Sequence, residues 1–325
     1  IFPEELGGTG TGEASAAVLC LLREGLAQGS TEAETALALQ GLGAYPILQA
    51  GREELRREWI PRVAQGEAVA AFALTEPEAG SDAGRLTLNA ERTDGGYVLT
   101  GQKKWISNAP DADIYTIFAR TTEGAGTRGV TAFAVPADTD GVGGEPLDLL
   151  SPHAIGTVQL EGVFVPDDHV LGEVDKGFGV AMRTLDLFRP SVGAFAVGMA
   201  QAALDAAVAY AGTRESFGKP LRDFQAVSHP LAEAAARTKA ARLLVYEAAG
   251  AYDMGEPVTK ASAIAKLYAT ETAQFVIDAA LQIFGARGLE RGHLLEHLYR
   301  EVRSTRIYEG TSEIQREVIA RELYR

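Results

Sequence analysis

Arg306-Ile307-Tyr308-Glu309-Gly310-Thr311-Ser312-Glu313-Ile314-Gln315 puts one carboxylate, Glu309, at a glycine break between two helical segments. A carboxylate on a break can point into a cavity instead of along a solvated helix face. Ser312 and Gln315 have the spacing of a capping box for the helix that follows, and the free N–H groups of a helix start can hold a polar or anionic ligand. A lone Glu-Gly-Thr is more often a surface turn. Two distant stretches change that balance.

The first is an apolar run, Val69 to Leu74, which reads as a buried strand and opens into Thr75-Glu76-Pro77-Glu78-Ala79-Gly80-Ser81-Asp82. The Thr75 and Ser81 hydroxyls can hydrogen-bond a ligand, and Gly80 allows close backbone approach. The second is Gly101-Gln102-Lys103-Lys104-Trp105-Ile106-Ser107-Asn108. It sets an aromatic ring and a hydroxyl at a strand end, suited to stacking on and hydrogen-bonding a flat heterocycle.

The chain around these stretches falls into three textures. Residues 1 to about 68 read as helical, with helical spacing over Glu13 to Gln28, Glu32 to Leu39 and Arg52 to Ala64. Residues 69–175 read as short strands and turns. Asp94-Gly95-Gly96 marks a hairpin before Val98, and Ile114 to Ala119, Val130 to Val135 and Val158 to Val165 supply further strands. Residues 176–325 return to helix, where Val192, Phe195, Met199 and Leu204 share a face and Ala and Gly fill the rest. Small residues let helices approach closely, as in a tight bundle. The order helix, β, helix predicts an α+β fold.

Composition limits the function classes. The 325 residues are 46% hydrophobic with a formal charge of −14, which argues against general affinity for nucleic acid or an anionic membrane. No uninterrupted apolar run reaches the roughly 18–20 residues of a membrane span, and no segment reads as a signal or transit peptide. The single cysteine, Cys20, excludes an intrachain disulfide, fits a reducing compartment and is read as a small buried apolar residue.

Together the quoted segments resemble the acyl-CoA dehydrogenase family. The resemblance continues in the family's order through Leu185-Asp186-Leu187-Phe188-Arg189-Pro190, Arg214-Glu215-Ser216-Phe217-Gly218-Lys219-Pro220-Leu221, Phe224-Gln225 and Gln282-Ile283-Phe284-Gly285. It implies an N-terminal helical domain (1–68), a middle β-barrel-like domain (69–175) and a C-terminal four-helix bundle (176–325). It also implies FAD-dependent oxidation of an acyl-CoA thioester to the trans-2-enoyl-CoA, with Glu309 as the base for the α-proton. Burial raises the basicity of such a carboxylate, and hydrogen bonds from the Glu309 N–H and an FAD ribityl hydroxyl to the thioester carbonyl stabilise the enolate.

By the same resemblance Phe72, Leu74, Thr75 and Ser81 meet the flavin and its pyrophosphate, and Trp105, Ile106 and Ser107 flank the isoalloxazine. Thr311 and Glu313 touch the cofactor after the base. Arg214, Phe217, Gln225, Gln282 and Gly285 contact FAD of a neighbouring subunit, and a guanidinium suits a pyrophosphate. Asp186, Arg189, Gly310 and Ser81 bind substrate, although Asp186 and Arg189 at i, i+3 could equally form a salt bridge. The implied partners are an electron-transfer flavoprotein as electron acceptor and further copies of the chain in a dimer of dimers. The implied compartment is the bacterial cytoplasm or, second, the mitochondrial matrix.

Three departures stand out. The family usually carries a few tens of residues before Phe2-Pro3-Glu4-Glu5-Leu6-Gly7-Gly8, so the chain is read either as lacking the opening helices or as a short form, and acyl length is left open. Ser151-Pro152-His153-Ala154-Ile155 replaces a polar stretch that often contacts CoA, and Glu78 stands where Gly is commoner. His293-Leu294-Leu295-Glu296-His297 spells a zinc-peptidase pattern, but no fourth partner is evident and a metal is not expected. Two other readings compete: an oxygen-using flavin oxidase or monooxygenase on the same fold, and a non-catalytic flavoprotein that binds nucleic acid or protein. Glu309 in its Tyr-Glu-Gly-Thr context counts against the first, and the negative charge against the second.

Overall fold

A computed structural model describes residues 1–10 and 13–324. Helices α1 (Ala16–Gly29), α2 (Thr31–Ala50) and α3 (Glu53–Ala64) precede strands β1 (Ala70–Ala73), β2 (Asn89–Thr93), β3 (Gly96–Ser107), β4 (Ile114–Arg120), β5 (Val130–Pro136), β6 (Val142–Gly143), β7 (Ile155–Pro166) and β8 (Val170–Leu171). Helix α4 (Gly177–Thr213) follows. A small hairpin, β9 (Glu215–Ser216) with β10 (Lys219–Pro220), leads to α5 (Gln225–Asp253), α6 (Thr259–Phe284), α7 (Leu294–Thr305) and α8 (Ser312–Glu322). The chain forms two compact units. One holds Ile1–Ala14, Thr35–Leu149 and His153–Leu185; the other holds Ser15–Glu34, Leu150–Pro152 and Asp186–Arg325.

In the first unit the strands make an eight-stranded mixed sheet in the order β6-β7-β3-β2-β4-β5-β8, with β1 also paired to β4. β6 and β8 are the ends of that path, so the barrel-like domain is an open sheet in its hydrogen bonding. The expected hairpin joins β2 to β3, with Thr93 opposite Gly96 and Gly95 at φ 74°. Strands β4 and β5 are buried on both faces, which is why they read as unbroken apolar runs. Ile114 and Phe118 of β4 with Val130, Ala132 and Ala134 of β5 face one core, which also takes Ile47, Leu55, Trp59 and Ile60 from α2 and α3. Their neighbours Tyr115, Ile117, Phe133 and Val135 face a second core with Leu99, Val158 and Leu160. This is the period-2 alternation of a strand with two packed faces.

Helix α2 is fixed to β1 at short range. The Gln40 side chain donates to the Ala68 carbonyl (2.7 Å) and accepts from the Ala70 N–H (2.8 Å), and the Thr116 hydroxyl donates to the Gly43 carbonyl (3.0 Å). A Cβ on Gly43 would lie 2.5 Å from the Ala70 carbonyl carbon. Only glycine lets this helix come so near the strand that leads into the Thr75 loop.

The second unit is helical. α4 from Asp186 onward, α5, α6, α7 and α8 build the C-terminal bundle, lined by Ala194, Ala196, Ala203, Ala241, Ala248, Ala265 and Ala273. Gly193 meets Val245 and Gly198 meets Glu24 at distances that leave no room for a Cβ (2.7 and 2.5 Å). Sequence texture groups α1 with the N-terminal helices, but its packing lies in this unit. Glu24 accepts from Arg242 (2.7 Å) and Tyr246 (2.9 Å) of α5, and Asp253 accepts from the Ser15 hydroxyl (2.7 Å).

Helix α4 is the long apolar helix of the described residues. By length and composition it is apolar enough to cross a membrane, but 67% of its most apolar window is buried inside the protein, as in a core helix.

Gly43→Ala is expected to destabilise the protein by about 1–3 kcal/mol, because the atoms it meets are backbone and cannot yield. Gly250, in α5 with nothing near its would-be Cβ, gives the opposite sign: Gly250→Ala is expected to stabilise by about 0.4–1 kcal/mol. Thermal melts of both variants against the parent check the pair.

Candidate active site

In the first unit the Thr75 loop and the end of β3 lie side by side. The Lys104 N–H donates to the Thr75 carbonyl (3.0 Å). One residue on, the β3–β7 register slips between Lys104 and Ile106, and Trp105 stands in this bulge with φ 58° and 44% of its surface exposed. A bulge is the device that turns a side chain out of its strand's alternation. Asn108, also left-handed at φ 67°, closes the segment by donating to the Ala70 carbonyl (2.8 Å).

Phe72 and Leu74 are mostly buried, with Phe72 packed on Phe118 at 4.9 Å between ring centroids. Thr75 and Ser107 are half-buried and Ser81 is exposed. Ile106 differs from expectation. Its side chain is 2% exposed in the second core, so it offers a ligand its backbone alone.

Sequence reading missed what holds this loop. Lys103, fully buried, donates through Nζ to the Leu74 carbonyl (3.0 Å) and to Glu76 Oε1 (2.8 Å). Glu76 also accepts from the Thr87 N–H and hydroxyl and from the Leu88 N–H (2.6, 2.9 and 3.0 Å). Burial works against its ionisation, but the Lys103 ammonium and these donors outweigh it and hold the carboxyl below its ordinary range. Burial pushes Lys103 down to about 8, against the pull of Glu76.

In the second unit Glu309 sits on the turn between α7 and α8 with φ 50°, followed by Gly310 at φ 90°. A left-handed glutamate is strained and persists only where its surroundings fix it. Here they do. Gln315 Nε2 donates to both the Glu309 and Gly310 carbonyls (3.0 Å each), Lys266 Nζ donates to the Gly310 carbonyl (2.7 Å), and Arg189 Nε reaches the Glu309 carbonyl at 3.5 Å.

The residue is partly accessible, yet its Oε2 is shut from solvent with no hydrogen-bond partner. Burial raises the Glu309 carboxyl above its ordinary value, while Arg23, Arg189 and Lys266 pull the other way. The expected capping box is absent. Thr311 is the N-cap, accepting from the Ile314 N–H (3.3 Å), Ser312 donates to Glu271 (2.6 Å), and Gln315 is spent on the turn. Thr311 is half-buried and Glu313 exposed.

Asp186 and Arg189 form the pair their spacing allows, at 3.6 Å. Arg214, Phe217, Gln225, Gln282 and Gly285 are all exposed, Phe217 by 94% and with φ 50°. Tyr210 of α4 stacks on Phe284 of α6 (4.1 Å), which joins the helix ends that carry these residues. The metal-like motif is otherwise engaged. His293 caps α7 and packs on Phe284, His297 contacts Thr31 (2.6 Å), and Glu296 accepts from Arg300 (2.8 Å). Among the described residues no cluster of His, Cys, Asp and Glu gathers to hold a metal. Ser151 donates to Glu301 (2.5 Å), so that hydroxyl is already used.

A left-handed, partly shielded carboxylate on a clamped turn and, on another loop, an out-turned tryptophan are features suited to a flavin-dependent oxidoreductase. Family models for the acyl-CoA dehydrogenase N-terminal, middle and C-terminal domains match residues 1–67, 71–163 and 175–324. The chain is 36% identical to cyclohexane-1-carbonyl-CoA dehydrogenase of Geobacter metallireducens over 99% of its length and 85% of that protein's. It is 40% identical to the caffeyl-CoA reductase–Etf complex subunit CarC of Acetobacterium woodii, over 98% and 84%. The solved butyryl-CoA dehydrogenase of Megasphaera elsdenii superposes with a TM-score of 0.95 at 38% identity, covering 100% of this chain and 86% of that one.

The chain belongs to the acyl-CoA dehydrogenase family. It is an oxidoreductase acting on CH–CH groups, its cofactor is FAD, and its substrates are of the acyl-CoA type.

Lys103→Met leaves Glu76 buried without its counter-charge and is expected to cost about 3–5 kcal/mol, with loss of FAD retention. Denaturant unfolding and flavin content of the purified variant check this. Because the folded-state value of Glu76 is depressed, its stabilisation is complete above the ordinary glutamate pKa of about 4.3 and is lost as pH falls through the folded value. The melting-temperature gap between the parent and Glu76→Gln is therefore expected to narrow on acidification below that range.

Proposed function

We propose that the protein removes the α-proton of an acyl-CoA thioester with Glu309 as base, giving the trans-2-enoyl-CoA. The observation that carries this is the Glu309 carboxyl itself: one oxygen shut from solvent without a partner, on a turn whose carbonyls are held from three helices. An unpartnered carboxylate oxygen is ready to take a proton, and burial brings its basicity nearer to that of the carbon acid. In this reading the Glu309 N–H donates to the thioester carbonyl as negative charge develops there. Asp186, Arg189, Gly310 and Ser81 orient the substrate.

The residues fit FAD. Trp105 and Ser107 present a ring and a hydroxyl, Phe72, Leu74, Thr75 and Ser81 line the adjoining loop, and Thr311 and Glu313 follow the base. When bound, the flavin supplies the two-electron acceptor, taking the β-hydrogen as hydride at N5. Arg214, Phe217, Gln225, Gln282 and Gly285 are assigned to FAD of a neighbouring copy. A phenylalanine 94% exposed and left-handed, with an edge contact to Phe224 at 6.3 Å, leaves most of its ring open to a neighbouring copy. This reading makes the assembly a dimer of dimers.

An electron-transfer flavoprotein is the proposed electron partner, supported by the relative that is a subunit of an Etf complex. That relative is named a reductase, and the same base can return the proton it removes. The direction of the reaction is set by which redox partner is supplied.

Glu309→Gln is expected to keep FAD and still bind CoA thioesters, while anaerobic flavin reduction by an acyl-CoA falls by about 10²–10⁴-fold. Reduction at the parent rate would remove Glu309 from the mechanism. Phe217→Ala and Arg214→Ala are expected to lower flavin content and loosen the assembly together. Flavin absorbance read along a size-exclusion profile checks both.

A further inference from the structure

Lys266 lies within α6, fully buried, on a stripe of Ser262, Ala263, Ala269, Thr270 and Ala273. A lysine in such a stripe must be worth its desolvation. Its Nζ donates to the Gly310 carbonyl at 2.7 Å, one residue beyond the base. Holding that carbonyl does not by itself require an ammonium, since the Gln315 amide reaches the same oxygen at 3.0 Å. What Lys266 adds is charge.

The charged groups around Glu309 come from several elements. Arg23 of α1 is paired with Glu34 of α2 and donates to the Ser191 hydroxyl (2.7 Å). Arg189 of α4 is paired with Asp186 (3.6 Å). Lys266 makes no ion pair among the described residues. Its further acidic neighbours are Glu271, which is bonded to Arg306 and Ser312, and Glu313 on α8. Tyr308 and Glu301 complete the surroundings of the turn. Of the three cations that act on Glu309, Lys266 alone has its charge uncommitted to another carboxylate.

We propose that Lys266 is a positioning residue for the base, its ammonium fixing the Glu309–Gly310 turn and supplying the counter-charge that keeps the buried carboxylate ionised. The proposal rests on Glu309 being the base. Burial pushes Lys266 down to about 8 while Glu309 pulls it up, so the ammonium is the main form at neutral pH.

The test uses FAD-loaded Lys266→Met, Lys266→Gln and Lys266→Arg. Anaerobic flavin reduction by an acyl-CoA is followed against pH, and the infrared carbonyl band of protonated Glu309 is assigned by its loss in Glu309→Gln. Removing a nearby positive charge raises the carboxyl pKa. In the Met variant reduction is therefore expected to slow about 10–100-fold, with the acid limb and the infrared band both moving to higher pH. The Gln variant retains an N–H donor without the charge and is expected to show the same pH movement, while the Arg variant restores the parent limb.

An acid limb and carbonyl band at the parent pH in both neutral variants would overturn the proposal, whatever the rate. That result, with Glu309→Gln still inactive, leaves the base reading standing. Parent-rate reduction in Glu309→Gln sinks the base reading itself.

Discussion

A carboxylate taken out of water tends to take up a proton and cease to be a base. Everything near Glu309 answers that constraint. Its backbone is left-handed, a conformation that a non-glycine residue leaves unless it is held, and the holding is done through carbonyls, while the carboxyl Oε2 has no partner. Burial and the surrounding cations act in opposite senses on the same group, and burial wins by a margin the cations limit. The result is a carboxyl that is more basic than usual yet still ionisable.

The first unit solves a similar problem in a similar way. Lys103, like Lys266, is fully buried and donates to the backbone carbonyl of a loop that carries residues proposed to face a ligand. The difference lies in the counter-ion. Glu76 answers Lys103 directly and is satisfied by three further donors, so that pair is closed and structural. Among the described residues Lys266 has a carbonyl and no carboxylate within ion-pair distance, which leaves its field to act on Glu309. A buried ion pair is weak grounds for stability in general. Here the closed pair holds a loop, and the open cation is the one proposed to condition Glu309.

Much of this was legible in the sequence, for identifiable reasons. The β4 and β5 strands announce themselves because burial on both faces leaves no polar position. The hairpin is set by Asp94-Gly95, and the break before α8 by Gly310. The family was legible because the motifs around Glu309, Trp105 and Phe217 are ordered along the chain. The helix start was misread. Ser312 and Gln315 have capping-box spacing, but Glu271 and the turn carbonyls compete for their side chains and leave the cap to Thr311. The placement of α1 was missed because helical spacing identifies a buried face and not the partner that buries it. Glu24 and Arg242 settle that, and they are far apart in sequence.

The two buried lysines were passed over for a related reason. Lys103 stands next to Lys104 and Trp105 in a run that draws attention to the aromatic, and Lys266 is one charge in a helix of small residues. Yet Lys266 keeps the core spacing, with Ser262 four residues before it and Ala269 and Ala273 three and seven after it. A lysine in register with a buried stripe contradicts the pattern around it, and such contradictions collect where a fold holds function. Small residues on α6 make that contradiction tolerable. With alanine and serine on either side, the stem of the lysine fills the space that larger side chains occupy elsewhere, and its ammonium emerges at the Gly310 carbonyl. The same economy of volume that brings the helices of the bundle close together thus leaves room for a long side chain that reaches the Glu309–Gly310 turn.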